Sequence, residues 1–323
     1  LGNMLFGALS GSSVAAASAM GGCISPIEEE NGYDPAYSAA ANIASAPTGL
    51  LIPPTSAFIV YSTVAGGVSI STLFMAGYVP GILMGLCCML VAFVGAKKAG
   101  MKATGYDKSK SISKTIWDAV PSLLLIVIVI GGIVSGIFTA TEGAGIAVLY
   151  CLILSIVYKS ITFKSFLKIL LDSAKTSGII LFLISASSAM SFVMAYSGIP
   201  AAISNGLMSL TSNKYIIFLL VIGMFMDITP AILIFTPIFL PIATSFGMTE
   251  IQFGVMLIFN MCLGNITPPV GSVLFVGCGI GHVSIEQVTS KLIPYFVALV
   301  LALLAVTYIP ALSLGLPSLM GLI

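Results

Sequence analysis

The chain is 323 residues long, 58% of them apolar and 7% charged, with a mean hydropathy of +1.14 and a formal net charge of +1. Those values leave no room for a soluble globular domain and carry no electrostatic footprint for nucleic acid. The apolar runs are long rather than alternating, so the fold class is all-α: a polytopic membrane protein built as a helix bundle rather than a barrel.

Residues 1–9 are apolar, Ser10-Gly11-Ser12-Ser13 is polar and flexible, and residues 14–24 are rich in small side chains. Neither arm is long enough to span comfortably. Two readings are open: a re-entrant hairpin with its tip at the serines, or one helix with a serine patch, since Ser and Gly are common in membrane helices. The hairpin is the expectation, because a broken span follows nearby and such tips line cavities. The chain opens in mid-pattern, without an initiator Met or a flanking charge, and a fragment lacking earlier spans is expected. Glu28-Glu29-Glu30 and Asp34 mark an aqueous loop, and Pro35 suits a first helical position. Residues 35–65 form a first broken span, interrupted at 48–54, and residues 70–96 a full span.

Lys97, Lys98, Lys102, Lys108, Lys110 and Lys114 are half of the twelve lysines, and the chain has no arginine. The positive-inside rule puts this loop in the cytoplasm. Residues 120–138 then run outward, Thr139-Ala140-Thr141-Glu142 turns with Glu142 placed to cap the next helix, and 143–158 return. Lys159, Lys164, Lys168 and Lys175 are interleaved with an apolar face at Phe163, Phe166, Leu167, Leu170 and Leu171. An interfacial amphipathic helix is expected there, the alternative being a cytoplasmic extension of the next span, 177–196.

Residues 215–226 mirror the first hairpin arm, Asp227-Ile228-Thr229-Pro230 form a second tip, and 231–246 return. A second broken span covers 252–280, with Gly264-Asn265-Ile266-Thr267-Pro268-Pro269-Val270-Gly271 at its middle, and 285–308 is the last full span. Pro268 and Pro269 have no backbone N–H and crowd the preceding turn, while the glycines relax the chain on either side. This octet has an earlier counterpart. At a constant offset of 215, Gly49, Pro53, Pro54, Gly66, Val68, Ser69 and Ile70 fall on Gly264, Pro268, Pro269, Gly281, Val283, Ser284 and Ile285, and Ser12 falls on Asp227. Counted from the lysine loop, the first broken span runs from inside to outside and the second runs the other way. The sequence therefore reads as inverted repeats, with two hairpins entering from opposite faces. Interrupted segments in corresponding positions of two halves point to the binding site of a secondary transporter.

Each candidate site pairs a tip with an unwound span. Ser10, Gly11, Ser12 and Ser13 go with Thr48, Ile52, Pro53 and Pro54; Asp227 and Thr229 go with Gly264, Asn265, Thr267, Pro268 and Pro269. Unwound carbonyls and hydroxyls are hard oxygen ligands that suit a small alkali cation, and half-helix N-termini beside them attract an anion. Asp227 lies well inside an apolar segment, as an ion ligand or proton carrier, as a cap for the following helix, or as both. Asn265 has the same two readings, ion ligand or cap. The sole histidine, His282, reads as a solvated loop residue, and the six cysteines read as small core residues without metal-ligand spacing. No phosphate loop and no nucleophile–base pair points to ATP-driven transport or catalysis.

Ser10-Gly11-Ser12-Ser13-Val14-Ala15, Gly49-Leu50-Leu51-Ile52-Pro53-Pro54, Thr139-Ala140-Thr141-Glu142 and the octet from Gly264 to Gly271, taken together, resemble the large membrane (M) subunit of tripartite ATP-independent periplasmic (TRAP) transporters. The resemblance covers essentially the whole chain. In the family the third of these turns usually reads Thr-Pro-Thr-Glu, and Ala140 departs from it. The resemblance implies a multi-pass protein of the bacterial inner membrane with an ion-transporter-superfamily-like elevator fold. It implies sodium-coupled uptake of small organic acids such as C4-dicarboxylates or sialic acid, with no cofactor other than the coupling ion. Its implied partners are a small membrane (Q) subunit and a soluble periplasmic binding protein. On this reading 1–69 and 211–284 are the two repeat cores of the elevator. Residues 70–210 are scaffold spans with the lysine loop and an arm helix bridging to the elevator, and 285–323 the final span and tail. Sodium is expected at Ser12, Ser13 and Pro53 in one pair and at Asp227, Thr229 and Thr267 in the other. Two other readings stand beside it: a stand-alone sodium–dicarboxylate symporter of related fold, and a non-transporting membrane scaffold or channel component.

Overall fold

A computed structural model describes residues 1–98, 100, 112–198, 228–268 and 271–323, and among them every regular element is a helix. Two compact units are present, Leu1–Thr104 with Val193–Ile323, and Gly105–Phe192.

The first unit opens with α1 (Gly2–Ser10) and α2 (Ser13–Glu30), which pack against each other. The helix does not run through the serines. Gly11 closes α1 in the left-handed region (φ 62°, ψ 16°), and its N–H donates to Gly7 O at 2.7 Å. Ser12 is extended, and its hydroxyl caps α2 by accepting from the Ala15 N–H at 3.3 Å. Asp34 caps α3 (Pro35–Ser45) in the same way, accepting from the Ala36 N–H at 3.0 Å. A single helical turn, α4 (Thr48–Leu51), follows before the chain becomes extended at Ile52 and at Thr55, the cap of α5 (Ser56–Val64). The axis bends by 48° between Pro35–Leu51 and Ser56–Val64. The interruption is thus shorter than the expected 48–54. Pro53 and Pro54 remove hydrogen bonds to carbonyls four residues earlier, but they leave the preceding turn free to stay helical. α6 (Ile70–Lys98) is the first unbroken span.

The second unit holds α7 (Ile112–Val134), α8 (Ala140–Val157) and most of α9 (Phe163–Tyr196). α7 packs on α8, with the Tyr150 hydroxyl donating to Pro121 O at 2.7 Å. Thr139 and Glu142 form a reciprocal capping box. The Glu142 carboxyl is held below the usual carboxylate range by hydrogen bonds from the Thr139 N–H and hydroxyl, at 2.7 and 2.9 Å. α9 is one helix of 34 residues, so the basic segment and the span after it are continuous. The expected separate interfacial helix is instead the N-terminal part of a long one: no proline breaks the stretch around Lys175, and Asp172, Ser173, Thr176 and Ser177 lie inside the helix rather than capping a new one. Lys102, Lys108 and Lys110 lie outside the described residues, as does the expected first arm of the second hairpin, 215–226.

Back in the first unit, α10 (Ile228–Ser245), α11 (Glu250–Gly264), α12 (Ser272–Ile280), α13 (Ile285–Tyr308) and α14 (Pro310–Leu319) complete the chain. The boundaries repeat at the offset of 215: α10 starts and stops 215 positions after α2, and α13 starts 215 after α6. The caps repeat too. Thr249 caps α11 where Asp34 caps α3, and Ser284 caps α13 where Ser69 caps α6. The turns before α3 and α11 each carry a left-handed glycine, Gly32 and Gly247.

Packing is reciprocal. α12 lies against α2 and α10 against α5, while both α3 and α11 pack on α6 and α13. Glycines permit close approaches of the kind that hold membrane helices together without a hydrophobic driving force. A Cβ added at Gly77 would sit 2.5 Å from Leu51 O. Tyr61 is fully buried and its hydroxyl donates to Glu250 O at 2.6 Å, tying α5 to the start of α11. Among the described residues, α6, α10 and α13 are each long and apolar enough to cross a membrane, and α3–α5 qualify as one bent span.

Candidate functional site

The first tip rests on the first break. Gly7 and Gly49 touch backbone to backbone, so that a Cβ on Gly49 would lie 2.5 Å from Gly7 Cα. At the tip itself, a Cβ on Gly11 would lie 3.0 Å from Pro54 O. Two constraints therefore keep a side chain off Gly11: the positive φ and the nearby carbonyl. Ser10 is exposed, its hydroxyl 3.3 Å from Ser12 O, whereas Ser13 is buried at the first position of α2. Thr48 is buried in α4 and its hydroxyl donates to Ser45 O at 2.7 Å. Ile52 and Pro53 are buried, and Pro54 is half-buried beneath the tip.

The second break begins where α11 ends. Gly264 is its last helical residue, and Asn265 follows at the C-terminal cap, 3% exposed. The Asn265 side-chain amide does not cap a helix. It donates to the Ser13 hydroxyl at 3.2 Å, a bond between positions 252 residues apart. The Thr267 hydroxyl donates to Leu263 O at 2.6 Å, and Gly271 folds back over the break, its N–H donating to Thr267 O at 3.1 Å. Pro268 is exposed. Thr229 and Pro230 fall in the first turn of α10, half-buried. Asp227, Pro269 and Val270 lie outside the described residues.

The first tip, the first break and the second break are therefore brought together. The sequence pairs the first tip with the first break alone; its bond to Asn265 is an addition. Chemically the cluster is a set of hard oxygens. Ser13 Oγ, already accepting one hydrogen bond, keeps a lone pair, and Asn265 keeps its Oδ1. The hydroxyl protons of Thr48 and Thr267 are committed to helix carbonyls, which leaves their lone pairs for a donor or a cation. Three residues that the motifs do not pick out hold this arrangement in place. Asn3 Nδ2 lies 2.9 Å from Asn42 Oδ1 and 2.8 Å from Ser45 Oγ, and Asn42 Nδ2 donates to Ala17 O at 2.9 Å. Asn42 so fastens α3 to both α1 and α2. The signal was the polar spacing i, i+4, i+7 at Ser38, Asn42 and Ser45 in a helix otherwise made largely of alanine.

Residues 1–312 match the family described as tripartite ATP-independent periplasmic transporter, DctM component. The chain is 48% identical to the uncharacterized protein YgiK of Salmonella typhimurium, over 99% of this chain and 75% of that one. It is 37% identical to the isethionate TRAP transporter permease protein DctMQ of Oleidesulfovibrio alaskensis, over 96% of this chain and 50% of that one. It is 34% identical to the C4-dicarboxylate TRAP transporter large permease protein DctM of Rhodobacter capsulatus, over 98% of this chain and 77% of that one. The chain belongs to the DctM family of TRAP transporters. It is a transporter component rather than an enzyme, and a multi-pass protein of the bacterial inner membrane.

Proposed function

We propose that this DctM-family chain is the carrier subunit of a sodium-coupled, binding-protein-dependent uptake system for small organic acids, and that it works as an elevator built from two inverted repeats. The observation that carries the reading is the meeting of one tip with both breaks, Gly11 against Pro54 and Ser13 bonded to Asn265. Two further observations support it. The return arm of each repeat lies against the far half of the other repeat's broken span. The Cys262 thiol donates to Pro47 O at 3.4 Å, and these residues correspond at the offset of 215. Equivalent residues that touch lie beside the axis relating the two copies, and inverted-topology repeats have such an axis in the membrane plane, with the site close to it.

On this reading one sodium ion is held by the Ser12 and Ser13 hydroxyls with carbonyls around Ile52-Pro53. A second is held by Asp227, Thr229 and Thr267 with carbonyls around Thr267-Pro268. Both tips are followed by the N-terminus of an 18-residue helix, α2 or α10, whose free N–H groups favour an anion between them. Ion and substrate then raise each other's affinity by the same factor. The moving part is formed by 1–69 and 211–284, carried past scaffold spans in 70–210, with 285–323 as final span and tail. Two relatives are named for isethionate, a sulfonate, and for C4-dicarboxylate. What those cargoes share is a small anion with several oxygens, a class that also includes sialic acid. The partners are a small membrane (Q) subunit, which one relative's name joins to M as DctMQ, and a soluble periplasmic binding protein.

The test is uptake of a radiolabelled C4-dicarboxylate into proteoliposomes holding the full-length chain and its small subunit. Uptake is expected only with an inward sodium gradient and the binding protein. Sodium-driven uptake that needs no binding protein would make it a stand-alone symporter. Uptake that ignores sodium and follows a proton gradient would overturn the sodium assignment and recast Asp227 as a proton carrier.

A further inference from the structure

We infer that a polar path along α3 carries water, and with it the coupling cation, between a cytoplasmic cavity and the first break. A cavity of about 920 Å³ is lined by Gly21, Ser25, Glu29, Asp34, Ser38 and Lys291 among others, with Lys291 and Asp34 paired at 3.3 Å at its mouth. A smaller one of about 180 Å³ shares Gly21, Ser25 and Ser38 with it and continues inward past Asn3, Asn42 and Ser45. Asp34, Ser38, Asn42 and Ser45 fall on one face of α3, so the two cavities follow a single polar stripe. The stripe ends one bond from the break region, where Thr48 donates to Ser45 O.

The inner cavity sets polar groups that water can satisfy into a wall that also carries Leu1, Met4, Ile24 and Met89. Asn3 and Ser38 are 7% and 6% exposed, yet Asn3 Oδ1 and Ser38 Oγ have no hydrogen-bond partner in the protein. A buried polar atom left unmade costs about 1–3 kcal/mol. Both residues line the 180 Å³ space, which has room for several waters at about 30 Å³ each. Hydroxyl and amide oxygens along the wall, with Glu29 and Asp34 at the mouth, suit a hydrated cation.

In the other copy the stripe keeps its polar ends, Thr249 and Asn260, and loses its middle. At the offset of 215, Asn3, Ser38 and Asn42 become Phe218, Phe253 and Leu257, and Thr48 becomes Leu263. Phe253, Leu257 and Leu263 are all fully buried. A lining needed only for the stability of a repeat would be expected in both copies. Among the described residues the continuous polar lining is found in the first copy alone, whose α2–α3 loop faces the lysine side, and it serves that side of the membrane, the side to which the ion must leave.

The cation's use of the path rests on the proposed sodium coupling; the path itself does not. The test uses the full-length protein with its small subunit, its native cysteines replaced by alanine, in inside-out membrane vesicles. A small cationic methanethiosulfonate is added from the cytoplasmic side. Ser38→Cys and Ser45→Cys are expected to lose their free thiol, and Phe253→Cys to keep it. A single size-exclusion peak and an unchanged melting temperature show that the variants are folded. Asn42→Leu, which copies the second repeat, is expected to protect Ser45→Cys and leave Ser38→Cys reactive. Folded variants that stay unmodified, or react only from the periplasmic side, would overturn the path, as would unchanged Ser45→Cys reactivity in Asn42→Leu. Sodium is expected to slow modification of Ser45→Cys. If it does not, in a protein whose uptake requires sodium, the cation leaves by another route. Proton-driven uptake would sink the sodium coupling while leaving all these reactivities in place.

Discussion

In the first copy Asp34, Ser38, Asn42 and Ser45 follow one face of α3; in the second the same face of α11 carries Thr249, Phe253, Leu257 and Asn260. The frames of the two copies agree nonetheless. α2 and α10 match end to end, and Asp34 and Thr249 each cap the next helix, Asp34 accepting from the Ala36 N–H and Thr249 from the Gln252 N–H. Boundaries are set by caps and breakers, which act locally and tolerate few residue types. Lining side chains act through what they face. On the proposed reading of two repeats, one backbone plan keeps its punctuation in both halves while its interior surfaces differ.

The largest effect is expected where the first copy is tightest. Gly49→Ala puts a Cβ into the backbone of Gly7, a clash neither helix can relieve by a rotamer change. Overpacking of this kind costs about 1–3 kcal/mol, occasionally more. Thermal unfolding of the purified protein should show a clear loss of stability, and an unchanged midpoint would mean that α1 does not rest on α4. A smaller effect is expected at the contact between the copies. Asn265→Ala and Ser13→Ala should each raise the sodium concentration for half-maximal uptake. The double variant should be little worse than either, because both remove one hydrogen bond. Additive losses would show that the two residues act apart.

Smaller still are the matched caps. Asp34→Ala and Thr249→Ala should each lower stability by about 1 kcal/mol. Asp34→Ala should lose slightly more through its half-exposed pair with Lys291, which is worth about 0–1 kcal/mol. Urea denaturation of each variant measures the difference; a large excess on either side would break the equivalence of the two frames.

Much of the frame was legible because its determinants are local. Gly11 between serines, Pro53-Pro54 and Asp34-Pro35 mark ends that any chain must respect, and the structure breaks at each of them. Thr48–Leu51 was harder to read, since a proline disturbs the turn before it without forbidding it. α9 runs on through Lys175 because amphipathicity describes a face and says little about where a helix stops. The site was legible as two lists of oxygens and not as one cluster. Ser13 and Asn265 meet across 252 positions and across the two copies, and no spacing rule encodes such a contact. Asn3 and Asn42 went unread for the same reason: each is an ordinary polar residue until the other is placed beside it.

The central claim is that the two copies are inverted across the membrane, and side-specific labelling of one matched pair tests it most directly. Glu30 and Ser245 are the last residues of α2 and α10, equivalent by position and both exposed. In protein freed of its native cysteines, Glu30→Cys and Ser245→Cys are each treated with a membrane-impermeant thiol reagent, in intact spheroplasts and in inside-out vesicles. The account predicts that Glu30→Cys reacts only from the cytoplasmic side and Ser245→Cys only from the periplasmic side. Labelling of both from the same side would contradict it.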